Sequence, residues 1–326
     1  MQVELSDDPA AFGARDWTSL VEADPEGSIF HTPAFLETWW QEFEPGGRLV
    51  IAFAEDAGAT AAVCAFDVRD DLLTFLGGFD VSDYLGPVGL PGIEDRAAKA
   101  LVGTVCSLEG WHRGDLAGLP ADGRWLPALA RAFEAAGVRV ETAEDGVTPL
   151  IDLPGDFEAY EQMLSSKHRH EMRRKARRLE RDAGAFRLVP TTAENLDPHL
   201  DRFIELHRSS EGPKGKFMVP GMEGFFRHLA GDLADPGPFR LTFIETAGEL
   251  MAGAIAFRFK DSLSLYNSAF DHAHRALAPG MVLIAEMIRA AIDEGVGRFD
   301  LLKGDLEYKY RFGARARPVS RLLIRR

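Results

Sequence analysis

Between residues 49 and 76 short apolar runs alternate with polar breaks. Residues 49–55, 61–68 and 72–76 therefore predict three strands, the last two joined by a hairpin at Asp70-Asp71. Ahead of them Phe35, Leu36, Trp39 and Trp40 recur at helical spacing behind Pro33, so residues 15–44 read as helical. A Gly-rich loop over 77–84 leads to a strand at 85–90. A helix follows at 94–108, a strand at 111–116, a helix at 125–136 ended by Gly137, and a strand at 138–142.

The order recurs further on. Residues 156–164 and 166–183 read as helices and 186–189 as a strand, with helices again at 196–209 and 221–233. Three strands (240–245, 250–260, 262–269), a helix at 279–294 and a strand at 298–302 complete the series. The pattern predicts an α/β chain with mixed sheets, made of two similar domains, 1–152 and 153–326, that share no visible sequence identity.

A net charge of −14 argues against a general nucleic-acid binder. Cys64 and Cys106 have neither metal nor disulfide spacing, which suggests a reducing cytoplasm, and the His residues lack metal-binding spacing, so no metal is expected. No apolar run is long enough to span a membrane and the first residues do not read as a secretion signal. Richness in Ala, Gly, Arg and Asp suggests a high-GC bacterial source.

Three segments carry candidate chemistry. In the first, a strand bearing Tyr266 and Asn267 runs through Arg275 to a helix opened by Pro279-Gly280. The amides of Gly280, Met281 and Val282 are expected to face a phosphate at the positive end of the helix dipole. In the second, Lys167, Arg169, Arg173 and Arg177 belong to a run of nine Lys/Arg between 167 and 187. They lie on a helix with an apolar stripe and form either a solvated face or an anionic acceptor site. The third follows the Gly304-Asp305 turn. Lys309 is placed to stabilise developing negative charge or hold a phosphate, and Asp305 to position Lys309. Glu307 is a proton acceptor candidate, with Tyr308 or Tyr310 as donor. Loops with Asp83-Tyr84 and Lys214 are further acceptor-side candidates, and so is His207, which reads as a half-buried histidine on a helix with Phe203, Ile204 and Leu206.

Several of these segments together resemble the CelD/FemABX-like branch of the GNAT acyltransferases. The resemblance is carried by Phe30-His31-Thr32-Pro33 with Trp39-Trp40, Leu76-Gly77-Gly78 with Ser82-Asp83-Tyr84, and Ser165–Arg169 with the basic helix. Leu206-His207-Arg208 and Gly304-Asp305 with Tyr308-Lys309 complete it. Arg275–Gly280 looks like a degenerate pyrophosphate-binding turn of that family. The resemblance implies two tandem GNAT-like domains in a FemABX-like arrangement, the first degenerate and on the acceptor side, the second binding the donor. It also implies a catalytic role for Lys309. The activity implied is transfer of an acyl group from acyl-CoA, with acetyl-CoA the expected donor, to an amine of a sugar, peptide or small metabolite. Two alternatives stay open: an aminoacyl-tRNA-dependent peptidyl transferase, which would bring in a tRNA partner, and a non-catalytic module in polysaccharide assembly.

Overall fold

The computed structural model describes residues 1–13, 16–43, 46–78, 80–210, 215–234 and 237–326. The chain forms two compact units, 1–147 with 317–326, and 148–316.

The first unit opens with β1 (Gln2–Ser6), α1 (Trp17–Ala23) and α2 (Pro33–Phe43), followed by β2 (Arg48–Asp56), β3 (Ala59–Arg69) and β4 (Asp71–Phe75). Both Asp70 (φ 49°) and Asp71 (φ 71°) take the left-handed conformation, which gives the tight turn of a twisted hairpin. After β5 (Val88–Gly89) come α3 (Glu94–Ser107), β6 (Trp111–Pro120), α4 (Trp125–Ala135) and β7 (Arg139–Asp152), which runs on into the second unit. The helix expected over 15–44 is two helices, with a 3-10 turn at Ile29–His31 between them. The strand expected at 85–90 is only the two residues of β5.

Antiparallel pairing links β1 to β2, β2 to β3 and β3 to β4; β6 then joins parallel to β4. The parallel ladder ends at Thr74 and Asp115. Beyond that point the chain itself fills the gap: Leu85 N–H donates to Gly118 O (3.0 Å). A Cβ on Gly118 would fall 2.9 Å from Leu85 N, and one on Gly86 2.9 Å from Leu119 Cδ2. Glycine is needed at 118 both for this approach and for its φ of 84°. Asp145 accepts from Gly118 N–H (3.1 Å), and Arg321 anchors that carboxylate at 2.5 Å.

The second unit holds α5 (Phe157–Met163), α6 (Ser166–Ala183), β8 (Phe186–Pro190), α7 (Leu196–Arg208) and α8 (Pro220–Leu233). Then come β9 (Phe239–Thr246), β10 (Glu249–Phe259), β11 (Ser262–Phe270), α9 (Pro279–Asp293), β12 (Arg298–Asp300) and the one-turn α10 (Glu307–Tyr310). Strands β8 to β11 pair antiparallel in order, β12 pairs parallel to β11, and the end of β7 pairs antiparallel to β12. The core packs the apolar face of α9, with Val282, Ile284, Ala285 and Ile288, against strand residues such as Ala254, Leu265 and Phe299. Burying such side chains contributes about 1.5–3 kcal/mol each for the larger ones. The last strand, β13 (Arg315–Arg325), pairs with β6 and places Leu322 and Ile324 in the core of the first unit. Its charge-rich sequence gave no strand signal.

The observed class is α/β with mixed sheets, as the alternation predicts. In both units three antiparallel strands are followed by a helix and a strand parallel to the third.

Asp24 anchors the far end of the 77–89 segment. It is fully buried and accepts from Gly89 N–H (2.8 Å), Glu26 N–H (2.8 Å), Arg124 (2.6 Å) and Trp125 Nε1 (3.2 Å). Replacing Asp24 by Ala removes one carboxylate from Arg124, which keeps Glu26 and Glu94, and leaves the buried Gly89 amide without its acceptor, so a loss of about 1–3 kcal/mol is expected. Urea unfolding checks this; a change under about 1 kcal/mol would contradict the anchoring role.

Candidate active site

The parallel ladder between β11 and β12 lasts only three pairs, Ser262 with Arg298, Leu263 with Phe299 and Ser264 with Asp300. Strand β11 then runs six residues further to Phe270, held by β10 on one edge. Among the described residues no strand continues the pairing on its other edge. A β-bulge lies at the parting: Leu265 pairs with Ala256 and Asn267 with Ile255, which leaves Tyr266 as the extra residue. The Tyr266 ring packs edge-on against Phe226 (5.7 Å) and tilted against Phe257 (5.3 Å). Asn267 is half-buried.

After β11 a 3-10 helix over His272–Leu277 carries Arg275, which is exposed. Ala278 then takes a left-handed conformation (φ 54°) and Pro279 occupies the first position of α9. A non-glycine residue is disfavoured there, and the rest of the turn must hold it. The expectation of three free amides needs correction. Val282 N–H closes the first helical bond on Ala278 O (3.3 Å), and Met281 N–H also points to that carbonyl (3.1 Å). A helix that starts at Pro279 leaves its fourth residue internally bonded and its first without an N–H, so Gly280 is the amide best placed for a ligand. A Cβ at Gly280 would meet Phe270 at 3.3 Å.

Strand β12 ends early because Leu302 adopts φ 57°. Leu302 N–H donates to the buried carboxylate of Asp300 (2.8 Å). Lys309 is buried, and its Nζ donates to Leu302 O (2.9 Å) and Lys303 O (2.8 Å). The ammonium thus clamps the turn that carries the chain away from β11. Asp305 does not hold Lys309 as expected from a four-residue spacing. The helix begins only at Glu307, and Asp305 instead accepts from Tyr310 Oη (2.5 Å). Glu307 is exposed and paired with Arg311 (3.0 Å). Tyr308 packs against the core of the unit, and burial raises the pKa of its hydroxyl. The Tyr310 hydroxyl is also raised, first by its bond to Asp305.

The other sequence candidates are dispersed. Arg173 grips Glu161 with two bonds (2.8 and 2.5 Å) and holds that carboxyl below its ordinary range. Arg169 donates to Glu161 O (3.0 Å). These two arginines tie α6 to α5, whereas Lys167 and Arg177 are exposed. His207 is buried, not half-buried, between Phe203 (6.1 Å) and Phe217 (5.6 Å). In the first unit Tyr84 is buried with Arg317 over its ring (5.7 Å), and Asp83 is half-buried. Lys214 lies outside the described residues.

The absence of metal spacing in the sequence missed one grouping. Glu249, Asp271 and His274 bring ligand atoms within 4.8 Å of one another. They are answered locally: Asp271 accepts from Arg202 (3.2 Å) and from Ala273 N–H (2.9 Å), and His274 meets Glu249 at 3.3 Å. The bulge at Tyr266 and the turn at Leu302 were also invisible in sequence, since neither position carries a glycine.

Residues 166–310 match the acetyltransferase (GNAT) domain family. No curated protein sequence matches the chain. FemX is similar in structure at 11% identity, with 98% of this chain and 97% of that chain covered and a TM-score of 0.66. L-PGS from Bacillus licheniformis is similar at 13% identity, with 98% and 92% covered and a TM-score of 0.60. A conserved protein of unknown function from Bacteroides thetaiotaomicron is similar at 11% identity over the full length of both chains, with a TM-score of 0.67.

Because Lys309 satisfies two carbonyls, Lys309→Met should cost stability as well as activity. A loss of about 1–3 kcal/mol is expected from leaving those acceptors unmet. Thermal unfolding together with kcat for acyl transfer checks it; wild-type stability would show that the turn does not need the clamp.

Proposed function

We propose that this chain, a GNAT-family acyltransferase with the fold of FemX, moves an acyl group from an acyl-CoA, acetyl-CoA first among them, to an amine. The observation that carries this reading is the parting of β11 from β12 beside the start of α9. A strand edge along which no described strand pairs favours an extended ligand with amide groups of its own, and the pantetheine arm of CoA has them. The bulge at Tyr266 and Asn267 re-aims the backbone there, and Gly280 offers an amide at the positive helix end for a phosphate. Arg275 is exposed close in sequence to that helix start.

The bound thioester supplies the activated acyl group. The residues of the chain orient it, with Lys309 positioning the Leu302–Gly304 turn through its carbonyls. Tyr308 keeps its proton well above neutral pH, which suits a donor to the departing thiolate. The first domain, with the half-buried Asp83, serves the acceptor, which is a sugar, peptide or small-metabolite amine. The two free cysteines, Cys64 and Cys106, fit a cytoplasmic setting. No helix among the described residues is long and apolar enough to cross a membrane.

A second reading takes the acyl group from an aminoacyl-tRNA. The exposed arginines of α6, such as Arg174 and Arg177, favour it.

Calorimetric titration with acetyl-CoA separates the two. One saturable site is expected, with affinity at least tenfold weaker in Gly280→Asp and less affected in Gly280→Ala, which adds the Cβ without the charge. Absence of binding together with transfer from aminoacyl-tRNA would replace the first reading by the second.

A further inference from the structure

The first unit contains a cavity of about 360 Å³ that the acyl-donor reading does not use. Its walls come from β3, β4 and β6, from α2 and from the segment after Gly78. Trp39 and Phe43 form an aromatic wall, their rings 5.9 Å apart. The Trp39 indole lies directly on Gly78: a Cβ there would fall 2.8 Å from the ring, and the φ of 61° also calls for glycine. Ser82 Oγ donates to Gly77 O (2.8 Å) and closes the loop. Trp39 of the Trp-Trp motif and Gly78 of the Leu-Gly-Gly motif thus line one cavity.

Asp67 lines that cavity from near the C-terminal end of β3, where it faces Leu49 on one side and Thr74 on the other. It is only 3% exposed, and its Oδ1 is buried with no hydrogen-bond partner. The sequence makes room for it, because a Cβ at Gly47 would fall 1.7 Å from Oδ1. Burial raises the carboxyl pKa, partly offset by Arg69. A carboxylate held this deep with one oxygen closed off against Gly47 and unpartnered costs about 1–3 kcal/mol, which a cation at the cavity beside Asp67 would offset. Asp80 and Asp115 also line the cavity; Asp115 is paired with Arg321 (2.8 Å), and Arg69 is exposed at the rim. Acidic oxygens beside an aromatic wall are the chemistry that holds an organic cation.

We propose that this cavity is a binding site for a primary ammonium group on a short apolar stem, with Asp67 as its ion-pair partner and Trp39 and Phe43 against the stem and the cation. The site is independent of the acyl donor, so its test needs no CoA.

The test is calorimetric titration of the full chain with n-butylammonium chloride, with 1-butanol as the uncharged match. Saturable binding of the ammonium is expected, at least tenfold weaker in Asp67→Asn and several-fold weaker in Phe43→Leu. 1-Butanol should bind at least tenfold more weakly than the ammonium. Circular dichroism establishes that each variant is folded, and Phe43→Leu keeps the test decisive if Asp67→Asn is not. Absence of saturable ammonium binding to the wild type overturns the proposal. So does unchanged affinity in the folded variants, or equal binding of 1-butanol, which would mark the cavity as merely apolar.

Discussion

Two parallel strands that part leave backbone donors and acceptors facing a gap, and those groups need partners. Both units of this chain contain such a parting between the third strand and the strand after the helix. In the first unit the ladder stops at Thr74 and Asp115, and the chain fills the gap itself, with Leu85 N–H on Gly118 O. In the second it stops at Ser264 and Asp300, and no described strand takes over along β11. One backbone constraint therefore has two outcomes: a self-plugged gap in one unit and a strand edge suited to an extended ligand in the other.

The plug is held by residues well separated in sequence. Asp24 holds Gly89 from one side, and Asp145, anchored by Arg321, holds Gly118 from the other. In the second unit the corresponding effort goes into keeping the strands apart. Lys309 collects the carbonyls of Leu302 and Lys303, and Asp300 takes the Leu302 amide. Leu302 takes a φ of 57°, disfavoured for a residue with a side chain, so this turn has a conformation the local sequence would not choose alone.

Much of this was legible in the sequence, and the failures have physical reasons. The apolar periods of β2 to β4, β9 to β11 and α9 located those elements to within a few residues, because each buries one face or both. The strand β13 was missed because its arginines are satisfied by carboxylates such as Asp122, Asp145 and Asp152, a long-range pairing that no local pattern displays. At the candidate site the sequence located the Pro279-Gly280 helix start and Lys309. It miscounted the free amides by not fixing the first helical residue, and it assigned Asp305 to Lys309 by a helical spacing that does not exist there. Asp67 gave no signal because an aspartate in an apolar run looks like an interruption, and only the fold shows that its carboxylate is enclosed.

The central claim is that the acyl donor lies along the edge of β11 that β12 leaves after Ser264, and not in the first unit. Hydrogen–deuterium exchange with and without saturating acetyl-CoA tests it most directly. The account predicts slowed exchange in residues 265–270 and 279–282, with residues 84–89 unchanged because their bonds are already made within the chain. Slowed exchange at 84–89 with none at 265–270 would contradict it.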